Sequence, residues 1–272
     1  LLRRPEREIF QAKEKYGEKF IGVYYFDEPG GKQLDKEDSR FAVEAGDYSD
    51  AAETYIYYLY KHIECYISTG IKVFTADYGL YWFDYKAGYS VVLAEFGWNH
   101  SRHLHIALCR GASRMQNKEW GAIITWKYEK PPYIESGSEL YSDLILAYNA
   151  GAKYVIVFNY PKISEYGVLT EEHFKAMRDF WKYLTSNSCK DAVSKADLAY
   201  VLPRDYGFGF RTPNDTIWGL WPCDELSWSI WVKVNNLLDE YGLRLDIIYD
   251  DPRFSKIIKY KYDGVVFWNQ TG

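Results

Sequence analysis

The stretch from Phe20 to Gly31, FIGVYYFDEPGG, limits the fold most: an apolar and aromatic run breaks off in two acids, a proline and two glycines. A short, continuously apolar run bounded by turn residues reads as a strand covered on both faces, as in a parallel sheet packed under helices. The layout recurs. IKVFTADY ends at Asp77, SVVLAEFGWN carries Glu95 near its end, GAIITWKYE runs out through Trp126 to Glu129, and KYVIVFN ends at Asn159. Open α/β sheets and β/α barrels place their chemistry at the carboxyl ends of their strands, so these acids and amides are the first candidates for a site.

Between the strands, apolar residues return at three- and four-residue spacing over Asp50 to Thr69, Ser101 to Met115, Gly137 to Ala150 and Thr170 to Thr185, which predicts helices; Gly70 and Gly151 stop two of them. Such alternation implies parallel strands joined by right-handed crossovers. After Thr185 the texture changes: SNSCKDAVSKAD is small, polar and charged, the composition of a junction. Beyond it come the strand DLAYVLP, an aromatic loop from Arg204 to Pro222, a helix from Asp224 to Tyr241, and the strands LRLDIIYD and DGVVFWN.

Two architectures fit. In the first, residues 1–188 are the later part of a TIM-barrel-like (β/α) sheet, and residues 189–272 begin a small flavodoxin-like α/β unit. In the second, the strands beginning near Phe20, Ile71, Ser90, Gly121, Tyr154, Asp197, Leu243 and Gly264 close one (β/α)8 barrel. The chain opens without Met in a predicted helix, Pro5 to Tyr16, and stops just after VVFWN, so we expect a piece of a longer protein.

Composition removes several functions. The formal charge is -5 with basic residues dispersed, unlike the basic footprint of a nucleic-acid binder. No apolar run reaches the roughly 20 residues that cross a bilayer. Cys65, Cys109, Cys189 and Cys223 form no CxxC or CxxH pair, and His100, His103 and His105 do not share one helix face, so no metal site is expected. YGFGFR lacks the GxGxxG pattern, so no nucleotide and no other cofactor is expected. Asn99, Asn214 and Asn269 each open an N-x-[ST] triplet, a lean toward an extracytoplasmic protein. The sequence does not specify an oligomeric state.

The anomaly is aromatic content: 27 Tyr, 14 Phe and 10 Trp make 19% of the chain, more rings than a core of this size needs to explain itself. Rings within the strands read as core, whereas those at strand ends can stack on sugar rings. Acids and rings on one rim suit glycoside cleavage, which uses one protonated carboxyl to donate to the leaving oxygen and one ionised carboxylate to attack carbon or activate water. Glu28 and Glu95 are the preferred pair, because each ends a very apolar strand where desolvation raises a pKa. The plainer reading makes Glu28 a loop cap or lysine partner and Glu95 a partner of Arg102 or Arg110. Around them, Asp27 and Asp77 are candidates to accept from sugar hydroxyls, Tyr78, Tyr81 and Trp82 to form a stacking wall, and Asn99 and Arg102 to bind beside the reacting carbon. Glu129 reads as a third carboxylate or as a partner of Lys127 or Lys130. Asp84 reads as a cap or ion-pair residue. In the two-part architecture the loop from Arg204 to Pro222 becomes a wall over the site, with Arg211, Trp218 and Trp221 as further contacts.

GVYYFDEPGG is similar to the DEP strand of several glycoside-hydrolase-like barrel families, which sits near mid-barrel with its Glu toward substrate. AEFGWN resembles the strand end that carries the nucleophile in many retaining barrel glycosidases, and Trp126 in ITWKYEKPPY resembles the tryptophan that floors their sugar site. The tail, ADLAYVLP then LLDEYGLRLDIIYDD then YDGVVFWN, resembles the flavodoxin-like domain that follows the barrel in family 42 β-galactosidases. The resemblance implies a cofactor-free glycosidase acting on an oligosaccharide or polysaccharide, or a sugar-binding protein that has kept the scaffold and lost the reaction. The chain departs from the largest such clan in lacking its Asn-Glu acid/base pair.

Overall fold

The computed structural model describes residues 4–160, 166–186 and 195–270. In chain order, α1 (Arg4–Tyr16) leads through a 3-10 turn to β1 (Val23–Tyr24), and α2 (Pro29–Leu34) and α3 (Tyr48–Ile67) lead to β2 (Val73–Asp77). Then α4 (Tyr81–Ala87) precedes β3 (Val91–Phe96), α5 (Arg102–Met115) precedes β4 (Glu119–Ile124), and α6 (Gly137–Asn149) precedes β5 (Tyr154–Val157). After α7 (Glu171–Thr185) come β6 (Leu198–Leu202), α8 (Glu225–Tyr241), β7 (Leu245–Tyr249), α9 (Ser255–Lys261) and β8 (Gly264–Phe267).

The first five strands are all parallel and lie in the order β1-β2-β3-β4-β5, each beside its successor as in a β/α barrel. Side chains alternate across this sheet. Val92, Ala94, Phe96, Trp120, Ala122 and Ile124 join the main core under the helices. Phe74, Ala76, Val91 and Leu93 point the other way and gather with Ile123 and Tyr154 in a second, smaller cluster. The Phe74 and Tyr154 rings, from β2 and β5, meet edge to face with centroids 5.0 Å apart, so the sheet curls toward this inner face as part of a barrel does. Glu95, two residues after Leu93, falls on the same concave side.

The last three strands make a separate parallel sheet in the order β7-β6-β8, the 2-1-3 order that opens a flavodoxin-like sheet. A closed eight-stranded barrel is therefore corrected: among the described residues β1 pairs with β2 alone, and β8 pairs with β6. Parallel strands join only where their crossovers bring them side by side, and α8 returns the chain to the far edge of β6. The junction expected near residue 188 lies largely on 187–194, outside the described residues.

Side chains foreseeable from sequence set the helix starts. Ser136 with Glu139, and Asp224 with Ser227, form reciprocal capping boxes, while Asp47 and Ser101 accept from the first turns of α3 and α5. The small sheet is bolted to the larger one through α5. Gly111 lies so close to β7 that a Cβ there would sit 2.4 Å from the Ile247 carbonyl oxygen. Next to it in the chain, Arg110 Nε donates to the fully buried Asp246 at 2.7 Å, and Tyr262 donates to the other carboxylate oxygen at 2.9 Å.

Candidate active site

The DEPGG segment is held by the end of β2. Asp77, fully buried, accepts from the backbone N–H groups of Gly30 at 2.6 Å and Gly31 at 2.9 Å, and also from Tyr78 and Gly79. Only glycine fits there: a Cβ on Gly30 would meet the Gly79 carbonyl oxygen at 2.4 Å, and one on Gly31 the Tyr78 ring at 2.2 Å. Phe26 and Glu28 take left-handed backbone angles, φ 56 and φ 49, which cost a side-chain-bearing residue on the order of 1–2 kcal/mol each. The Thr75 hydroxyl, donating to the Phe26 carbonyl at 2.7 Å, and the Glu28 N–H, donating to Ala76 at 3.0 Å, hold the strained turn in place. Leu80, Trp98 and Asn99, just past the carboxyl ends of β2 and β3, also have positive φ.

That turn brings Glu28 close enough to Glu95 for each carboxyl group to shift the protonation of the other. Glu95 is buried, 4% exposed, and burial pushes its carboxyl well above the usual range, with the charges of Glu28 and Asp77 adding to the push. Glu28 is raised too, by burial and then by Asp27, but Glu95 and the nearby Lys32 ammonium oppose the rise. The pair is therefore biased toward the proton on Glu95 and the charge on Glu28. Neither Arg102 nor Arg110 reaches Glu95: their carboxylate partners are Glu135 and Asp143 for the first and Asp246 for the second.

A second pair of acids lies behind the first. Asp84, fully buried on α4, accepts from the Tyr55 hydroxyl at 2.6 Å through Oδ1. Its Oδ2 receives no hydrogen bond but faces Asp77, and burial together with the Asp77 charge raises its pKa well above the normal range. A protonated Asp84 that donates from Oδ2 to Asp77 accounts for both observations. Burial lifts Asp77 itself to about 7 against the pull of its backbone N–H partners. The expectation of a cap or ion-pair residue at Asp84 is corrected: it is buried against Tyr55 and Asp77. The sequence signal for this is its spacing, seven residues after Asp77 across a turn.

The remaining candidates divide. Asp27 is exposed beside the pair and accepts from the Tyr24 hydroxyl. Asn99 is exposed just past β3. The stacking wall expected of Tyr81 and Trp82 is corrected to core packing, since both are buried, at 2% and 3% exposure. The Tyr81 hydroxyl meets His105 Nδ1 at 2.6 Å, and Trp82 packs on Tyr249 and Phe254 where the two sheets meet. Tyr78 instead packs near His100 and donates to Asp35 at 2.5 Å. Arg102 is a clamp: Nε donates to Asp143 at 2.9 Å, Nη2 to Glu135 at 3.1 Å, and Nη1 to the carbonyls of Gly97 and His100. Trp126 sits in a pile with Tyr133, Phe158 and Tyr160 beyond β4, and Glu129 is exposed on the loop that follows. Trp218, expected on a wall of the site, is fully buried against Phe83, centroids 4.5 Å apart. Gln33, not anticipated, ties that loop to α2: its amide donates to the carbonyls of Ala42 and Trp218 at 2.8 and 2.9 Å and accepts from the Ala42 N–H at 2.9 Å.

No protein-family model matches the chain, and no curated protein matches it. Among solved structures, similarity is found to a mutant diaminopimelate decarboxylase from Helicobacter pylori complexed with L-lysine, with 11% identity over 90% of this chain and a TM-score of 0.28. The chain spans 60% of the length of that protein, and a likeness this slight bears on neither fold nor activity. The chemistry must be read from the site. Two neighbouring carboxyls whose environments raise one further than the other are the kind of pair that can divide into an acid and a base or nucleophile.

Proposed function

We propose that the protein is a glycoside hydrolase, or a close derivative of one, acting on an oligosaccharide or polysaccharide. The observation that carries this reading is the Glu28–Glu95 pair at the carboxyl end of a barrel-ordered parallel sheet, with the proton on Glu95. In this mechanism Glu95 donates to the leaving glycosidic oxygen. Glu28, ionised and next to Asp27 and Lys32, attacks the anomeric carbon or stabilises the positive charge developing there. Division of the chain into a barrel part, 1–188, and a flavodoxin-like part, 189–272, belongs to the same proposal.

Hydrolysis of a panel of aryl glycosides, followed in the protein and in Glu28→Gln and Glu95→Gln, tests the assignment. Each substitution should lower turnover by about 10²–10⁴-fold. Unchanged turnover in both variants would remove it.

A second reading, a sugar-binding protein without turnover, draws on the burial of Glu95, which at 4% exposure has little contact with solvent or ligand. It predicts glycan affinity with no aryl glycoside released.

A further inference from the structure

Just beyond Glu95 the chain leaves β3 and lines a cleft of about 430 Å³. One wall is Trp98 to Ser101 with the first turns of α5; the other is Phe210 to Thr212 together with Trp231 and Asn235 on α8. The cleft thus spans the two sheets. We propose that it is a subsite for neighbouring residues of a neutral oligosaccharide, lined from Trp98, three residues past Glu95, an inference that rests on the glycosidase reading.

Rings and amides alternate along its walls. Trp98 is 42% exposed and holds a left-handed backbone, φ 47, so a large flat ring is presented to solvent from a strained, fixed position. Trp231, half-buried, stands opposite on α8, with Asn235 one turn further along the same helix face. Rigid indole faces with amides between them suit pyranose rings, which offer C–H faces for stacking and hydroxyls at their edges. Polar capacity is left open there. Asn235 donates its amide to the Trp231 carbonyl at 2.8 Å, which leaves its side-chain oxygen to accept, and the buried Nδ1 of His100 has no partner.

Charge decides the ligand class. Arg211 lines the cleft, but Asp215 holds it through two bonds, 2.8 and 2.7 Å, and Asp35 binds it as well. Arg102, on the far side of the loop, is taken by Glu135 and Asp143. Burial, and then the Arg102 charge, lowers the pKa of His100, which is neutral at pH 7. None of these cations is left to balance a phosphate or a uronic acid, whereas a neutral polyol loses little on entry. A second hollow of about 400 Å³ shares Asn99 and His100 with the first and continues the groove toward Lys127 and Glu139, which pair with each other.

The test is titration of tryptophan fluorescence, with calorimetry, by a length series of neutral oligosaccharides from disaccharide to hexasaccharide, and by inorganic phosphate. Affinity should rise with chain length, fall about tenfold or more in Trp98→Ala, and fall less in Trp231→Phe, which keeps a ring on α8. Circular dichroism checks that each variant is folded. Length-dependent binding that survives in Glu95→Gln, in a protein that releases no aryl glycoside, keeps the subsite and removes the catalytic reading. Turnover with no length dependence and no effect of Trp98→Ala overturns the subsite and leaves the pair. Phosphate that binds and displaces the oligosaccharides overturns it as well.

Discussion

Gly30 shows how narrow the tolerances are around the acid pair. Its N–H donates to Asp77, and its missing side chain leaves room for the Gly79 carbonyl oxygen, which a Cβ would approach to 2.4 Å. A backbone oxygen cannot swing aside as a side chain can, so Gly30→Ala must displace α2 and, with it, Glu28. The expected cost is about 1–3 kcal/mol of unfolding free energy in urea, together with loss of any turnover that the proposed acid pair supports. Wild-type stability in that variant would mean that the turn is not held where the structure puts it. The proline and glycines after the acids were visible in the sequence as a turn. That the two glycines are the donors for a buried carboxylate 46 and 47 residues away was not, because hydrogen bonds across strands leave no local spacing.

At the scale of elements, α5 carries the link between the sheets, and Gly111 sets how near it lies. In an ordinary helix Gly→Ala adds roughly 0.5–1 kcal/mol of stability through backbone entropy. Here the new Cβ would stand 2.4 Å from the Ile247 carbonyl oxygen, and overpacking of about 1–3 kcal/mol outweighs that gain. Gly111→Ala should therefore lower the urea midpoint rather than raise it. The neighbouring bond between Arg110 and Asp246 is buried on both sides, and Asp246→Ala leaves a guanidinium without its charge partner. That change is expected to cost about 3–5 kcal/mol, several times the effect of removing an exposed pair such as Lys61 with Glu64. The long amphipathic helices could be anticipated from three- and four-residue spacing. The short helices α2, α4 and α9 could not, since six or seven residues hold too few turns for a period to emerge.

For the whole molecule, the buried acids make stability fall as pH rises. Asp77, Asp84 and Glu95 each have a folded pKa above the ordinary carboxylate value, so between the two values the folded chain binds more protons than the unfolded one. The stability they contribute is fully present below about pH 4 and is lost as pH rises, through about 7 for Asp77 and through the raised values of Glu95 and Asp84. Glu135, lifted to about 7 by burial and by Asp143, acts in the same direction. The melting temperature should fall steadily from pH 5 to pH 8, and Asp84→Asn should flatten the slope; a flat or rising profile in the unmodified protein contradicts a buried proton-sharing cluster. No helix among the described residues is long and apolar enough to cross a membrane.

From the sequence alone came the parallel α/β character, the order of strands and helices, and the acids at the strand ends, because each depends on local periodicity and on where an apolar run stops. Tertiary structure alone decided which strands are neighbours, splitting the eight into sheets of five and three. It also chose among the rings, sending Tyr81, Trp82 and Trp218 into the core and leaving Trp98 outside. Whether a ring is buried depends on which helix crosses above it, and whether two acids share a proton depends on a few ångströms between chain segments far apart in sequence. Neither quantity is written in the neighbourhood of any single residue.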